Sequence, residues 1–179
     1  RLLNSGNKKI IVFTAFADTA NYLFEELKNW LHRDLKLNIA LVIGSQSKTS
    51  FGKAEYSNIL TNFSPIAKQR DKMKSMPQEG SIDVLIATDC ISEGQNLQDC
   101  DCLVNYDIHW NPVRIIQRFG RVDRLGSKNK AIQLANFWPN MELDEYINLE
   151  ARVSGRMVLL DISATGEENV IEYDEKKQM

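Results

Sequence analysis

The chain has 179 residues, which at about 150 residues per domain is one domain with room for a tail. Hydrophobic residues make up 43% and charged residues 26%, a composition that excludes a disordered chain, and nine glycines with four prolines exclude a linker-rich or collagen-like one. With 24 acids against 22 bases the formal net charge is −2, which excludes a globally basic nucleic-acid binder but not a local basic patch.

Taken in chain order, the segments alternate between strand-like and helix-like patterns. Lys9 to Phe13, with Ile10, Ile11, Val12 and Phe13, is a short β-branched run typical of a buried parallel strand. Asp18 or Thr19 can cap a helix whose Ala20, Leu23, Phe24, Leu27, Trp30 and Leu31 recur at helical spacing. Asn38 to Ile43 reads as a second strand, ended by Gly44. From Ser45 to Gly80 the pattern weakens. Tyr56, Ile59, Leu60 and Phe63 suggest a short helix stopped by Pro65, and Lys68 to Met76 a further helix in a locally positive, solvated stretch. Ile82 to Ala87 and Cys102 to Tyr106 are strands. Pro112, behind Asn111 as cap, opens a helix expected to run to about Gly126. Ala131 to Phe137 is another strand, and Glu142 to Leu160 looks helical. Past Ser163 the chain turns acidic and loses its period, so the expected organisation is one domain over 1–163, with 164–179 an acidic tail or the start of a following region.

Such repetition predicts an α/β fold with a central parallel sheet and helices on both faces. In such sheets the working residues lie in loops at the carboxyl ends of the strands. Cys90, Cys100, Cys102 and His109 fit no standard zinc spacing, so no metal site is expected and free, buried thiols are. Three cysteines without a signal peptide point to a reducing, cytoplasmic setting. No apolar run approaches the roughly 20 residues of a membrane-spanning helix. The sequence begins at Arg1 rather than Met, which suggests a piece of a longer protein.

Three constellations can carry chemistry. In the helix after Pro112, Gln117, Arg121 and Arg124 would share one face while Ile115, Phe119 and Val122 share another. From Asn105 to Lys130 six bases stand against two acids. Guanidinium forks suit a polyphosphate, because they stay charged and bind oxygens bidentately; on spacing alone the same face also reads as a solvated basic stripe. The second constellation, Thr88-Asp89 and Ser92-Glu93-Gly94-Gln95-Asn96-Leu97, follows a buried strand. There a glycine lets the backbone come close to a ligand. The third, Asp107-Ile108-His109-Trp110-Asn111-Pro112, leads from a strand into the arginine helix.

In this order, Ile86-Ala87-Thr88-Asp89, Ser92 to Leu97, Asp107 to Pro112 and Gln117 to Arg124 resemble motifs V and VI of superfamily-two helicases and translocases. Trp110-Asn111-Pro112 and Arg121 to Gly126 look most like the Swi/Snf-type ATPases, and the Ser-Glu-Gly-x-Asn and Gln-Arg-x-Gly-Arg steps resemble the bacterial RNA-polymerase-recycling ATPases of that group. Ile11 to Thr14 resembles motif IV, the opening strand of the second RecA-like domain. The likeness runs from Lys8 to about Phe137. Ser127 departs from it, standing where many relatives have Gln.

In that family ATP sits between two RecA-like domains and nucleic acid crosses both. The first domain holds the phosphate loop and the acidic magnesium box. This sequence contains neither, and Gly44-Ser45-Gln46-Ser47-Lys48-Thr49 lacks the second glycine and the spacing of a phosphate loop. The resemblance therefore implies the second domain alone, inactive without its partner, with ATP and Mg2+ held mainly by an N-terminal RecA-like domain of the parent chain. By position, Arg121 and Arg124 would be arginine fingers and Gln117 would position nucleotide or water. Glu93, Gly94 and Asn96 would contact nucleotide. Thr88, Thr14, Gly44 and Ser45 would touch the nucleic-acid backbone, with duplex DNA favoured over RNA and no membrane involved. A RecA-like module that binds nucleic acid or protein without catalysis is the alternative.

Overall fold

The computed structural model describes residues 6–44, 46–91, 94–107, 112–124 and 126–138. The expected helix over 142–160 and the boundary at 163 lie outside them. The strands are β1 (Ile10–Phe13), β2 (Ile39–Ile43), β3 (Gln46–Thr49), β4 (Val84–Ala87), β5 (Cys102–Asn105) and β6 (Gln133–Asn136). The α-helices are α1 (Ala17–Asp34), α2 (Tyr56–Phe63) and α3 (Pro112–Phe119). They form one six-stranded sheet in the order β3-β2-β4-β1-β5-β6. Five strands are parallel, and β3 alone runs antiparallel, on β2. Among the described residues no helix is long and apolar enough to cross a membrane.

The side-chain alternation of the strands builds two cores. Ile39, Leu41 and Ile43 of β2, with Val84 and Ile86 of β4, pack against Ala20, Leu23, Phe24 and Leu31 of α1. Ile11, Phe13, Ala40, Val42, Leu85, Ala87 and Leu103 face the other way, onto Ile59, Leu60 and Phe63 of α2 and onto Val122. The sheet is thus covered on both faces, as strands that are apolar at every position require.

Several local expectations are corrected. The first helix starts at Ala17, ahead of Asp18 and Thr19, with no side-chain cap. The Thr14 hydroxyl accepts the Phe16 N–H at 3.3 Å, so the turn before the helix is set two residues upstream. Trp30, placed on the apolar stripe by spacing, is 49% exposed. The edge strand β3 is polar and carried no apolar signal. In place of a helix over Lys68 to Met76 there is a short 3-10 turn, Arg70–Lys72. Two side chains divert the backbone there. Asp99 accepts the Ile66 and Ala67 N–H groups at 2.6 and 3.0 Å. Arg70, read as solvated, is buried and donates to Asn62 Oδ1 at 3.0 Å and the Gly80 carbonyl at 2.8 Å.

Gly80 has φ +70°, and a Cβ there would lie 2.7 Å from Cε2 of the Phe51 ring. Gly80→Ala is therefore expected to lower unfolding free energy by about 1–3 kcal/mol through backbone strain and overpacking. Urea unfolding of the variant measures it; a curve that superimposes on wild type would mean the ring moves aside freely.

Candidate functional site

Because β1, β2, β4 and β5 are parallel, the segments that follow them emerge on one edge of the sheet. Thr14 follows β1, Gly44 follows β2, Thr88 and Asp89 follow β4, and Asp107 follows β5. Backbone bonds tie this edge together: Thr14 N–H donates to the Ala87 carbonyl at 3.0 Å, and Thr88 N–H to that of Val42 at 3.3 Å. Gly44 turns the chain with φ +49° and is exposed. Thr88 is half-buried, but Thr14 is completely buried and its hydroxyl donates to the Asp107 carboxylate.

The arginines do not sit on one helical face. The helix expected to reach Gly126 stops at Phe119. Arg121, Val122 and Asp123 follow as tight turns, with Arg121 N–H on the Arg118 carbonyl at 3.2 Å and Val122 N–H on that of Phe119 at 2.9 Å. Gly120 disfavours continuation. The Arg121 carbonyl is taken by Leu97 N–H at 3.0 Å, a partner far away in sequence. This bond draws the arginine turn onto the loop after β4.

That geometry brings together residues singled out from both constellations. Arg124, exposed, donates Nη1 to the Gly94 carbonyl at 3.2 Å. Gly94 has φ +85°, and a Cβ there would meet nothing within 4 Å, so the glycine answers a backbone requirement rather than a crowded contact. Asn96 turns its Oδ1 inward to the Gln98 N–H at 3.3 Å. Gln117 is half-buried on α3 and Arg121 is 7% exposed. Lys68 donates to Gln95 Oε1 at 2.7 Å, and burial pushes its ammonium below the usual lysine value. Glu93, Ser45 and Trp110 lie outside the described residues.

Arg118 is the residue that sequence reasoning missed. It is 1% exposed, and its Nε and Nη2 fork onto Asp89 Oδ1 and Oδ2 at 2.7 and 2.9 Å. Nη1 donates to Asn105 Oδ1 at 2.9 Å, and the guanidinium carbon stands 5.2 Å from the Phe13 ring centroid. Asn105 in turn donates to Asn136 Oδ1 at 2.7 Å. The signal was present: Arg118 falls between Ile115 and Val122 on the buried side of the helix, where a base needs a partner.

An exposed guanidinium at the carboxyl edge, beside a buried one, suits phosphate oxygens. Among the described residues no three His, Cys, Asp or Glu side chains gather as metal ligands.

The helicase conserved C-terminal domain family matches residues 1–126. An uncharacterized ATP-dependent helicase of Bacillus subtilis, YqhH, is 42% identical over 79 residues, covering 44% of this chain and 14% of that protein. A probable ATP-dependent RNA helicase of Dictyostelium discoideum, ddx51, is 32% identical over 120 residues, 67% of this chain and 18% of that protein. The chain thus spans less than a fifth of the length of these relatives. Among solved structures, the C-terminal part of the Fun30 ATPase domain is similar with a TM-score of 0.55 at 16% identity, over 78% of this chain and 38% of that one. S. cerevisiae Dbp5 bound to RNA and ADP BeF3 gives a TM-score of 0.52 at 21% identity, over 83% of this chain and 33% of that one. At such identities the structural likeness carries the fold alone.

Proposed function

The chain belongs to the helicase conserved C-terminal domain family, and from that premise we propose that it is the second RecA-like motor domain of an ATP-dependent nucleic-acid translocase. A first RecA-like domain of the same parent chain would hold the phosphate loop, ATP and Mg2+. Arg121 and Arg124 reach the nucleotide across the interdomain cleft and stabilise charge developing on the transferring phosphoryl group. Gln117 positions nucleotide or attacking water. Glu93, Gly94 and Asn96 contact the nucleotide and couple its state to the strand edge.

The observation that carries this reading is the contact of Arg124 with the Gly94 carbonyl. It joins the arginine turn to the loop after β4, so one ligand can engage both. Nucleic acid runs along the same edge through Thr88 and Gly44, with Ser45 as the further contact that the motif resemblance implies. Such backbone contacts read no sequence, as a motor moving along any sequence requires. Thr14, with its hydroxyl engaged by Asp107, supports that edge from beneath.

Duplex DNA is the favoured track, because Trp110-Asn111-Pro112 and the Arg121 to Gly126 run resemble the Swi/Snf-type ATPases. A strand-separating RNA helicase is the second reading, favoured by the RNA helicase named above among its relatives. Cys90, Cys100 and Cys102, which form no disulfide, suit a reducing, cytoplasmic compartment.

ATP hydrolysis by the full-length protein, measured alone and with duplex DNA, single-stranded DNA or RNA, tests the proposal. Stimulation by duplex DNA is expected, with no turnover by the 179-residue chain alone. Stimulation by RNA only would move the assignment to an RNA helicase. Silence under every condition would leave the non-catalytic binding module.

A further inference from the structure

The Arg118–Asp89 pair does more than neutralise a buried charge. Its guanidinium fork closes on the carboxylate at the end of β4, and its third nitrogen closes on Asn105 at the end of β5 and, at 3.4 Å, on the Asp107 carbonyl. Phe13 of the central strand lies under the plane. Arg118 thus fixes the last turn of α3 against β1, β4 and β5 at once. The backbone that leaves it bonds at once to Arg121, whose carbonyl receives Leu97 N–H, and three residues later Arg124 meets Gly94. A bidentate fork fixes orientation as well as distance, which a lysine in its place cannot do.

We propose that Arg118 and Asp89 form a positioning unit that sets the Arg121–Arg124 turn against the Gly94–Leu97 loop. Its effect on catalysis rests on the function proposed above; its effect on the turn does not. Asp89 responds to whatever moves the end of β4, and Arg118 carries that displacement to the arginine turn. Neither residue touches nucleotide. They act through Arg121 and Arg124.

The test uses Asp89→Asn and Arg118→Lys in the full-length protein. Asp89→Asn keeps the side-chain shape and one acceptor, and it removes the charge and one arm of the fork. Amide hydrogen exchange is followed in peptides spanning 94–97 and 118–124, with β1 and β4 as internal reference. Both variants are expected to raise exchange in the two site peptides by about tenfold or more while the reference strands stay at wild-type rates. ATP turnover is expected to fall by about 10²-fold in kcat, as displaced catalytic groups do, with KM within about threefold of wild type. Unchanged exchange in the site peptides would overturn the proposal. So would faster exchange spread evenly over β1 and β4, which marks a merely structural pair. Should the wild-type protein hydrolyse no ATP with any nucleic acid, the proposed function falls, and the exchange result alone still decides whether the pair positions the turn.

Discussion

Arg124→Ala in the full-length protein is expected to lower kcat for ATP by about 10³–10⁵-fold, the effect of losing an arginine finger, with unfolding free energy changed by no more than about 0.5 kcal/mol. The separation of the two effects follows from where the side chain stands. Arg124 is exposed and its described hydrogen bond is a 3.2 Å contact to the Gly94 carbonyl. Its removal opens no cavity and leaves the Gly94 oxygen to water. Arg121 is the less informative site for this experiment, because it is only 7% exposed and alanine there would disturb packing together with charge. Steady-state kinetics and a melting curve on the same preparation make the comparison. A variant that keeps wild-type kcat would remove Arg124 from the catalytic assignment and return the arginine turn to a solvated basic surface.

Phe13→Ala is expected to destabilise the domain by about 3–5 kcal/mol, the usual range for truncating a buried aromatic. Phe13 is completely buried at the end of the central strand, between β4 and β5, and belongs to the core shared with α2. It is also the ring beneath the Arg118 guanidinium. The truncation therefore removes a desolvated cation–π contact along with aliphatic packing. Phe13→Leu keeps most of the volume and should cost about 1–2 kcal/mol. Urea unfolding of both variants is the measurement. A loss below about 1 kcal/mol for Phe13→Ala would mean that the end of β1 collapses around the gap and that Arg118 does not need its platform.

The central strands and the two-sided layering were legible because their signal is carried by single residues repeated locally. Ile10 to Phe13, Ile39 to Ile43 and Val84 to Ala87 are apolar at every position, as doubly covered parallel strands are. Short α2 was legible for the same reason, with Pro65 marking its end. What escaped was decided by distant partners. The end of α3 depends on Leu97, more than twenty residues upstream, taking the Arg121 carbonyl. The inward turn of Arg70 depends on Asn62 and Gly80. A solvated lysine-rich stretch and a buried arginine anchor look alike when only spacing is read.

The candidate site divides along the same line. Motif resemblance singled out Arg124 and Gly94, and the fold brings them into contact. It singled out Thr14 as a contact to the nucleic-acid backbone, and the fold buries that residue with its hydroxyl donating to the Asp107 carboxylate. It passed over Arg118, whose partners come from β1, from the turn after β4 and from β5 and the turn after it, because those segments are separated along the chain and adjacent only after folding.

The polar strand β3 has a bearing on how the molecule meets copies of itself. Without it the sheet would end at β2, five consecutive buried apolar residues with an open row of amides and carbonyls. Such a margin templates the addition of foreign strands and, from there, aggregation. Gln46–Thr49 seals that row with a strand of opposite direction, and Lys48 stands on it, held by Glu25 at 3.1 Å. The four polar residues of β3 offer an approaching copy no apolar strand to pair with. The hairpin thus works as a selvedge: it finishes the sheet where unravelling and tangling would otherwise start.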